Sequence, residues 1–268
     1  FNSDNYINDK GLVTDYDFII KNKTSYTDDP TSNQDKDEYD VLGAFLIKNS
    51  LPLQRIKKNS KEALLPIISF RYSPNNTKNI KNYNQRLTYD NIFALNRIGS
   101  NSVLEGGKSI SMGFQYANKN KNDEKIFGLS LANSIRDKKN ENLPVKTTLN
   151  EKRSDIVGKV SIIPNKILNF DYRFSYDNNF KNSNYDSIST NLNFGFINSS
   201  FNFLSTGGVM GNDEIISNKS TINIDSEKSL KFNITKDLNR DFTQYYDLIY
   251  QYKTDCLNIS LEYNKKFY

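Results

Sequence analysis

The chain alternates apolar and polar residues over long stretches. In 166–176, Leu168, Phe170, Tyr172, Phe174 and Tyr176 are separated by Asn169, Asp171, Arg173 and Ser175. A period of two sends one set to each face of a β-strand. The rhythm returns in Ile188, Thr190, Leu192, Phe194 and Phe196, in Ile110, Met112, Phe114 and Tyr116, and in Leu257, Ile259, Leu261 and Tyr263. Helical spacing fits none of these. About 13 strands are predicted. They fall around residues 11–26, 39–55, 63–73, 108–118, 124–136, 153–163, 166–177, 185–196, 199–206, 214–225, 228–237, 242–254 and 256–267.

Polar clusters rich in Gly, Asn and Asp separate the strands, at 74–79, 118–123, 137–142, 177–184 and 206–213, and read as turns and solvated loops. Short connections (163–166, 196–200, 225–228) roughly alternate with long ones (28–39, 74–86, 136–153), the order of an antiparallel meander. Three features favour a transmembrane up-and-down β-barrel over a soluble sandwich. The strands are near the ~9–11 residues that cross a membrane. Tyr stands at many strand ends (Tyr26, Tyr39, Tyr72, Tyr116, Tyr176, Tyr185, Tyr268), where interfacial girdles lie. The connections alternate in length as in outer-membrane barrels. A soluble sandwich or a solenoid stays the alternative, and the lack of an internal repeat argues against the solenoid.

Composition supports the barrel. Of 268 residues only 36% are hydrophobic, against 17 Phe, 17 Tyr and 39 Asn, which leaves little to fill a large soluble core. With no His and one Cys, a Ser-His-Asp or Cys-His relay, a His-ligated metal and an internal disulfide are all excluded. The net charge of +5 is scattered Lys among acids, without the basic stripe of a nucleic-acid partner. The mixed-sign runs 119–125 and 136–141 read as solvated loops. No stretch reaches the ~20 apolar residues of a membrane helix. Without an initiator Met, and with residues 1–10 polar, the chain reads as a piece of a longer protein.

Candidate chemistry is sparse. The pairs Asp15/Asp17 and Asp28/Asp29 lack a cleft that would split their pKa values, and read as lumen lining and solvated loop. Gly106-Gly107-Lys108-Ser109 lacks the spacing and the following helix of a phosphate loop. Asn-X-Ser/Thr triplets are expected by chance among so many Asn. Cys256, at a strand boundary, reads either as a small buried side chain or as one half of a disulfide to a domain outside this chain.

Three segments resemble the family of the outer-membrane lipopolysaccharide-assembly protein LptD. The first is Leu65-Pro-Ile-Ile-Ser-Phe-Arg-Tyr-Ser-Pro74, with Arg71, Tyr72 and Pro74 at its end. The second is Tyr89-Asp-Asn-Ile-Phe-Ala-Leu-Asn-Arg-Ile-Gly99, then Leu104-Glu-Gly-Gly107 and a strand holding Gly113. It is similar to the family's Asn-Arg-aromatic-Gly loop with a following acid, so Asn96, Arg97, Gly99, Glu105 and Gly113 are its motif residues here. Ile98 stands where an aromatic is usual, and 100–103 departs from the common Tyr-Asp-Arg. The third is Tyr250-Gln-Tyr-Lys-Thr-Asp-Cys-Leu257 with 261–267, where many members carry two adjacent Cys and this chain has only Cys256.

The resemblance implies that residues 1–268 are the C-terminal half of a barrel of about 26 strands, without the periplasmic jellyroll, the first strands and one last strand. It implies translocation without catalysis and without cofactors. Lipopolysaccharide would arrive over a periplasmic bridge protein, pass its acyl chains into the membrane and its sugars through the lumen, and leave by a lateral opening, with an LptE-like lipoprotein as plug. The implied location is the outer membrane of a Gram-negative bacterium, and Cys256 would pair with a Cys of the jellyroll. The residues alone leave two further readings open: a passive porin or nutrient channel, and a surface barrel whose outer loops bind a partner.

Overall fold

A computed structural model describes residues 1–27 and 36–266. The pair Asp28/Asp29 and Tyr268 lie outside the described residues, as does the side chain of Tyr26. The fold is all-β. Fifteen strands make one antiparallel sheet: β1 (Tyr6–Ile7), β2 (Val13–Thr27), β3 (Lys36–Ser50), β4 (Leu53–Ile56), β5 (Ser60–Ser73), β6 (Gly107–Asn120), β7 (Lys125–Arg136) and β8 (Ile156–Ile162), followed by β9 (Leu168–Tyr176), β10 (Ser183–Asn193), β11 (Ile197–Thr206), β12 (Glu214–Asn223), β13 (Lys228–Asp237), β14 (Phe242–Lys253) and β15 (Asn258–Lys266). Each strand neighbours the next, except that β3 passes β4 to pair with β5 and β4 pairs only with β5. This is the up-and-down order of a partial barrel. All 13 predicted strands are present. The two additional ones are the short β1 and β4; β4 exists because the predicted run 39–55 stops at Ser50, two residues before Pro52.

The abundant Asn and Asp have a local use. Their side-chain oxygens cap the backbone of tight turns: Asp225 Oδ1 accepts from the N–H groups of Glu227 (2.9 Å) and Lys228 (2.8 Å), and Asn120 Oδ1 from those of Asn122 (2.8 Å) and Glu124 (3.0 Å). Asn193 Oδ1 accepts from Gly195 N–H at 2.9 Å, where a φ of +83° needs Gly. Such side-chain caps let a hairpin close without a hydrophobic core beneath it.

The chain divides into two compact units, Phe1–Leu53, Leu64–Gln115 and Leu131–Ile156 in one, and Gln54–Ala63, Tyr116–Ser130 and Val157–Tyr268 in the other. In the second unit, register places Asn169, Asn191, Ser200, Lys219, Asn233, Asp247 and Asn264 in one unbroken row across seven strands. The opposite face carries rows such as Ile197, Ile222, Leu230, Tyr250 and Leu261. Where Ser199, Asn218 and Ser220 interrupt that apolar face, they hydrogen-bond to one another at 2.8–3.0 Å. A polar group facing hydrocarbon is costly unless it is paired in this way.

Across β5, β6 and β7 of the first unit the burial is the reverse of a soluble protein's. Ser69, Arg71 and Ser73 of β5, Ser109 and Ser111 of β6, and Ser134 and Arg136 of β7 are buried. The alternate residues Ile68, Phe70, Tyr72, Ile110, Met112 and Ile135 are exposed. The polar face is covered by the connection 74–106 and, beside it, by the connection 137–155. The clusters 74–79 and 137–142, expected to be loops in solvent, are mostly exposed, while the rest of each connection turns inward and Arg136, expected in a solvated run, is buried. Ile80, Leu87, Ile92, Ile98, Val103 and Leu104 of the first, and Leu143 and Leu149 of the second, are buried. Leu104 packs with Leu42 and Ala44 of β3, and Ile19 and Leu95 lie against that cluster. Each such side chain contributes about 1.5–3 kcal/mol on burial, so the apolar residues of the connections, together with Leu42, Ala44 and Leu46 of β3, form the core of this unit.

Candidate functional site

Three of the motif residues converge on this covered face. Arg97, near the end of the first long connection, is 1% exposed and uses every guanidinium nitrogen. Its Nε donates to Glu105 Oε2 at 2.9 Å and Nη2 to Glu105 Oε1. Nη2 also donates to Ser109 Oγ at 2.8 Å, and Nη1 to Ser134 Oγ at 2.7 Å and Ser111 Oγ at 3.2 Å. The small hydroxyls of β6 and β7 thus form a socket for the fork, which a Lys could not fill in the same way. Glu105 takes a second cation, Arg136 Nη1 from the end of β7, while Arg136 Nη2 donates to Gly106 O at 2.5 Å. Arg71 of β5 donates through Nε to Leu95 O at 2.7 Å. Its Nη1 and Nη2 are buried and have no hydrogen-bond partner among the described residues.

Three guanidinium groups therefore surround one carboxylate. Burial alone would push the Glu105 carboxyl up, but Arg97, then Arg71 and Arg136, pull it down to about 2. A carboxyl whose pKa is lower in the folded state stabilises the fold above its unfolded value and loses that contribution as pH falls toward the folded value. Between the ordinary 4.5 and about 2, the cluster is expected to lose about 3 kcal/mol. Tyrosine near-UV circular dichroism of the protein in detergent should show the melting temperature falling across pH 4.5 to 2, and Glu105→Gln should flatten that part of the profile.

The other motif residues sit around this cluster or away from it. Asn96 Nδ2 donates to Ser100 O at 2.8 Å and closes the turn, in which Gly99 takes a φ of +71°. Tyr72 points to the open face, and Pro74 ends the pairing of β5. Gly113 of β6 lies against β7, where a Cβ would stand 2.4 Å from Leu131 O. Cys256 is in the turn after β14 and is exposed, which corrects the reading of it as a small buried side chain. Among the described residues no group of His, Cys, Asp and Glu could hold a metal. The sequence reading missed Arg136, assigned to a solvated charge run. Its signal was the parity of Ser130, Ala132, Ser134 and Arg136 along β7, which puts all four on one face.

An antiparallel sheet with polar residues on a covered face and apolar residues on the open one belongs to the class of membrane-spanning β-barrel walls. The chain belongs to the LPS transport system D (LptD) family, whose family model matches residues 10–234. The match bears out the resemblance and covers all the motif residues above, but stops short of Cys256. No curated protein matches the chain at a significant level. The family is one of lipopolysaccharide transport to the outer membrane.

Proposed function

We propose that residues 1–268 form the C-terminal half of a barrel of about 26 strands that delivers lipopolysaccharide to the outer leaflet of a Gram-negative outer membrane, by translocation and without catalysis. The observation that carries this, together with the family match, is the inverted burial: apolar side chains open on one face, polar side chains on the other. In this reading the apolar face meets lipid. The row of Asn, Ser, Lys and Asp in the second unit gives sugars and phosphates a hydrated, hydrogen-bonding wall. The two long connections laid over the polar face of the first unit support a lumen governed by docked elements rather than the open channel of a passive porin. The partners would be lipopolysaccharide, an LptE-like lipoprotein plug and a periplasmic bridge protein reached through a jellyroll domain, and Cys256 would bond that domain.

Depletion of the protein in its own bacterium is the test. Lipopolysaccharide is expected to disappear from the cell surface and to accumulate inside. Surface lipopolysaccharide that stays constant during depletion would sink the reading.

A further inference from the structure

The segment 72–75, where β5 gives way to the first long connection, lines two hollows of opposite chemistry. One is a cavity of about 410 Å³ whose wall carries Lys108, Arg136, Lys138 and Lys139, one carboxylate, Asp137, and the amides of Asn76, Asn140 and Asn142. The other is a groove of about 370 Å³ lined by Phe18, Ile20, Val41 and Phe45, with Gly43 among them. Tyr72, Pro74 and Asn75 belong to both. Lys108 Nζ lies 5.7 Å over the Tyr72 ring, so the cationic wall begins at the ridge itself.

The groove exists because β3 outruns β5. Their pairing stops at Phe45–Tyr72, whereas β3 continues back to Lys36 beside β2. Beyond that point side chains replace the missing strand. Asn75 Oδ1 accepts from Gly43 N–H at 2.7 Å, Asn75 Nδ2 donates to Val41 O at 2.8 Å, and Ser73 Oγ donates to Gly43 O at 2.7 Å. The backbone edge is thereby satisfied while a hollow is left above Gly43, which has no side chain to fill it. Ile20 and Val41 are 63% and 68% exposed, so the groove is continuous with the open apolar face.

We propose that the two hollows form one binding site for a single anionic amphiphile: a lipopolysaccharide molecule with an anionic sugar in the cavity and one acyl chain in the groove. Arg136 is engaged by Glu105 and Gly106 O, but the ammonium groups of the cavity still outnumber its one carboxylate, Asp137, and with the amides they favour an anion rich in hydroxyls. A groove without charged side chains favours hydrocarbon. A ridge of three shared residues, Tyr72, Pro74 and Asn75, brings both within reach of one molecule, and a neutral phospholipid would satisfy only the groove. The inference rests on the delivery reading above and places a resting point for the lipid on this wall.

The test uses the full-length protein in phospholipid nanodiscs, with p-benzoylphenylalanine replacing Val41, irradiated with purified lipopolysaccharide. A lipopolysaccharide adduct is expected at Val41. Gly43→Leu should reduce it about tenfold by filling the groove; its Cβ meets nothing nearer than Ile19 O at 3.9 Å, and heat-modifiable mobility checks that the variant is folded. Lys108→Gln with Lys138→Gln should reduce it about fivefold. The same probe at Leu248, on the apolar face of the second unit, reports lipid that merely surrounds the protein. Adducts with phospholipid alone, or a lipopolysaccharide adduct equal to that at Leu248 and unmoved by both variants, would overturn the proposal. If cross-linking fails while depletion still strips lipopolysaccharide from the surface, the site is wrong and delivery stands. If depletion changes nothing, the delivery reading itself has failed.

Discussion

Glu105→Ala is expected to release the connection 74–106 from the sheet, at a cost of about 3–5 kcal/mol. The carboxylate is ion-paired with both Arg97 and Arg136, and its electrostatic partners include Arg71. Without it three guanidinium groups stay buried with serine hydroxyls and backbone carbonyls as their acceptors, and those cannot neutralise charge. The native state can relieve this only by moving the cations to water. Arg97 and Arg136 tie that connection to β6 and β7, so the movement exposes the connection. It contains Lys78, Lys81, Arg86 and Arg97 as trypsin sites. When opening is faster than cleavage, proteolysis follows the population of the open form, and about 3 kcal/mol corresponds to about a hundredfold faster cutting. Adding Arg97→Met to Glu105→Ala removes one of the stranded cations and should recover part of the loss, a coupling that a double-mutant cycle measures. An unchanged trypsin rate for Glu105→Ala would mean that the cluster does not hold the connection.

Gly106→Ala is expected to be as damaging for a steric reason. A Cβ at Gly106 would stand 1.9 Å from Asn75 O and 3.3 Å from Thr77 N. These are backbone atoms, so no side-chain rotation relieves the clash. Three attachments meet here: Gly106 N–H donates to Thr77 Oγ1 at 2.9 Å, Arg136 donates to Gly106 O, and Asn75 caps the edge of β3. Separating the two strands of chain breaks at least one of them. Overpacking of this kind costs about 1–3 kcal/mol, more when backbone must move. The loss of a buried hydrogen bond adds about 1–3 kcal/mol. Gly195→Ala is the control: nothing lies within 4 Å of its Cβ, and it bears only the strain of its positive φ. The folded fraction of the two variants, read by heat-modifiable mobility on electrophoresis, should differ clearly. Equal folded fractions would refute the close approach at Gly106.

The strands were legible because alternation is local. Leu168 to Tyr176 needs no distant partner to declare its two faces, and β9 formed where that run lies. The connections were not legible for the opposite reason. Leu143 and Leu149, isolated among Asn, Lys and Thr, have no period, and only the covered face of the sheet makes them core. Arg136 looked like one charge in a solvated run because its partner Glu105 is far away in sequence. Arg71, Arg97 and Glu105 were named from a family motif, but residue types alone could not say that they touch. Cys256 was placed correctly at a strand boundary, yet its exposure depended on the turn after β14.

By itself, then, the sequence determined the class of architecture: antiparallel, up and down, with one face greasy and the other wet. Period-two patterning and turn chemistry act between residues a few positions apart, so they survive without tertiary context. Only the tertiary structure decided that the two long connections fold back onto the polar face and that a carboxylate gathers three arginines there. It also decided that β3 outruns β5 to leave a groove in the wall. Each of those outcomes depends on which distant segments exclude water from one another, and burial is a property of the assembled fold that no local pattern carries.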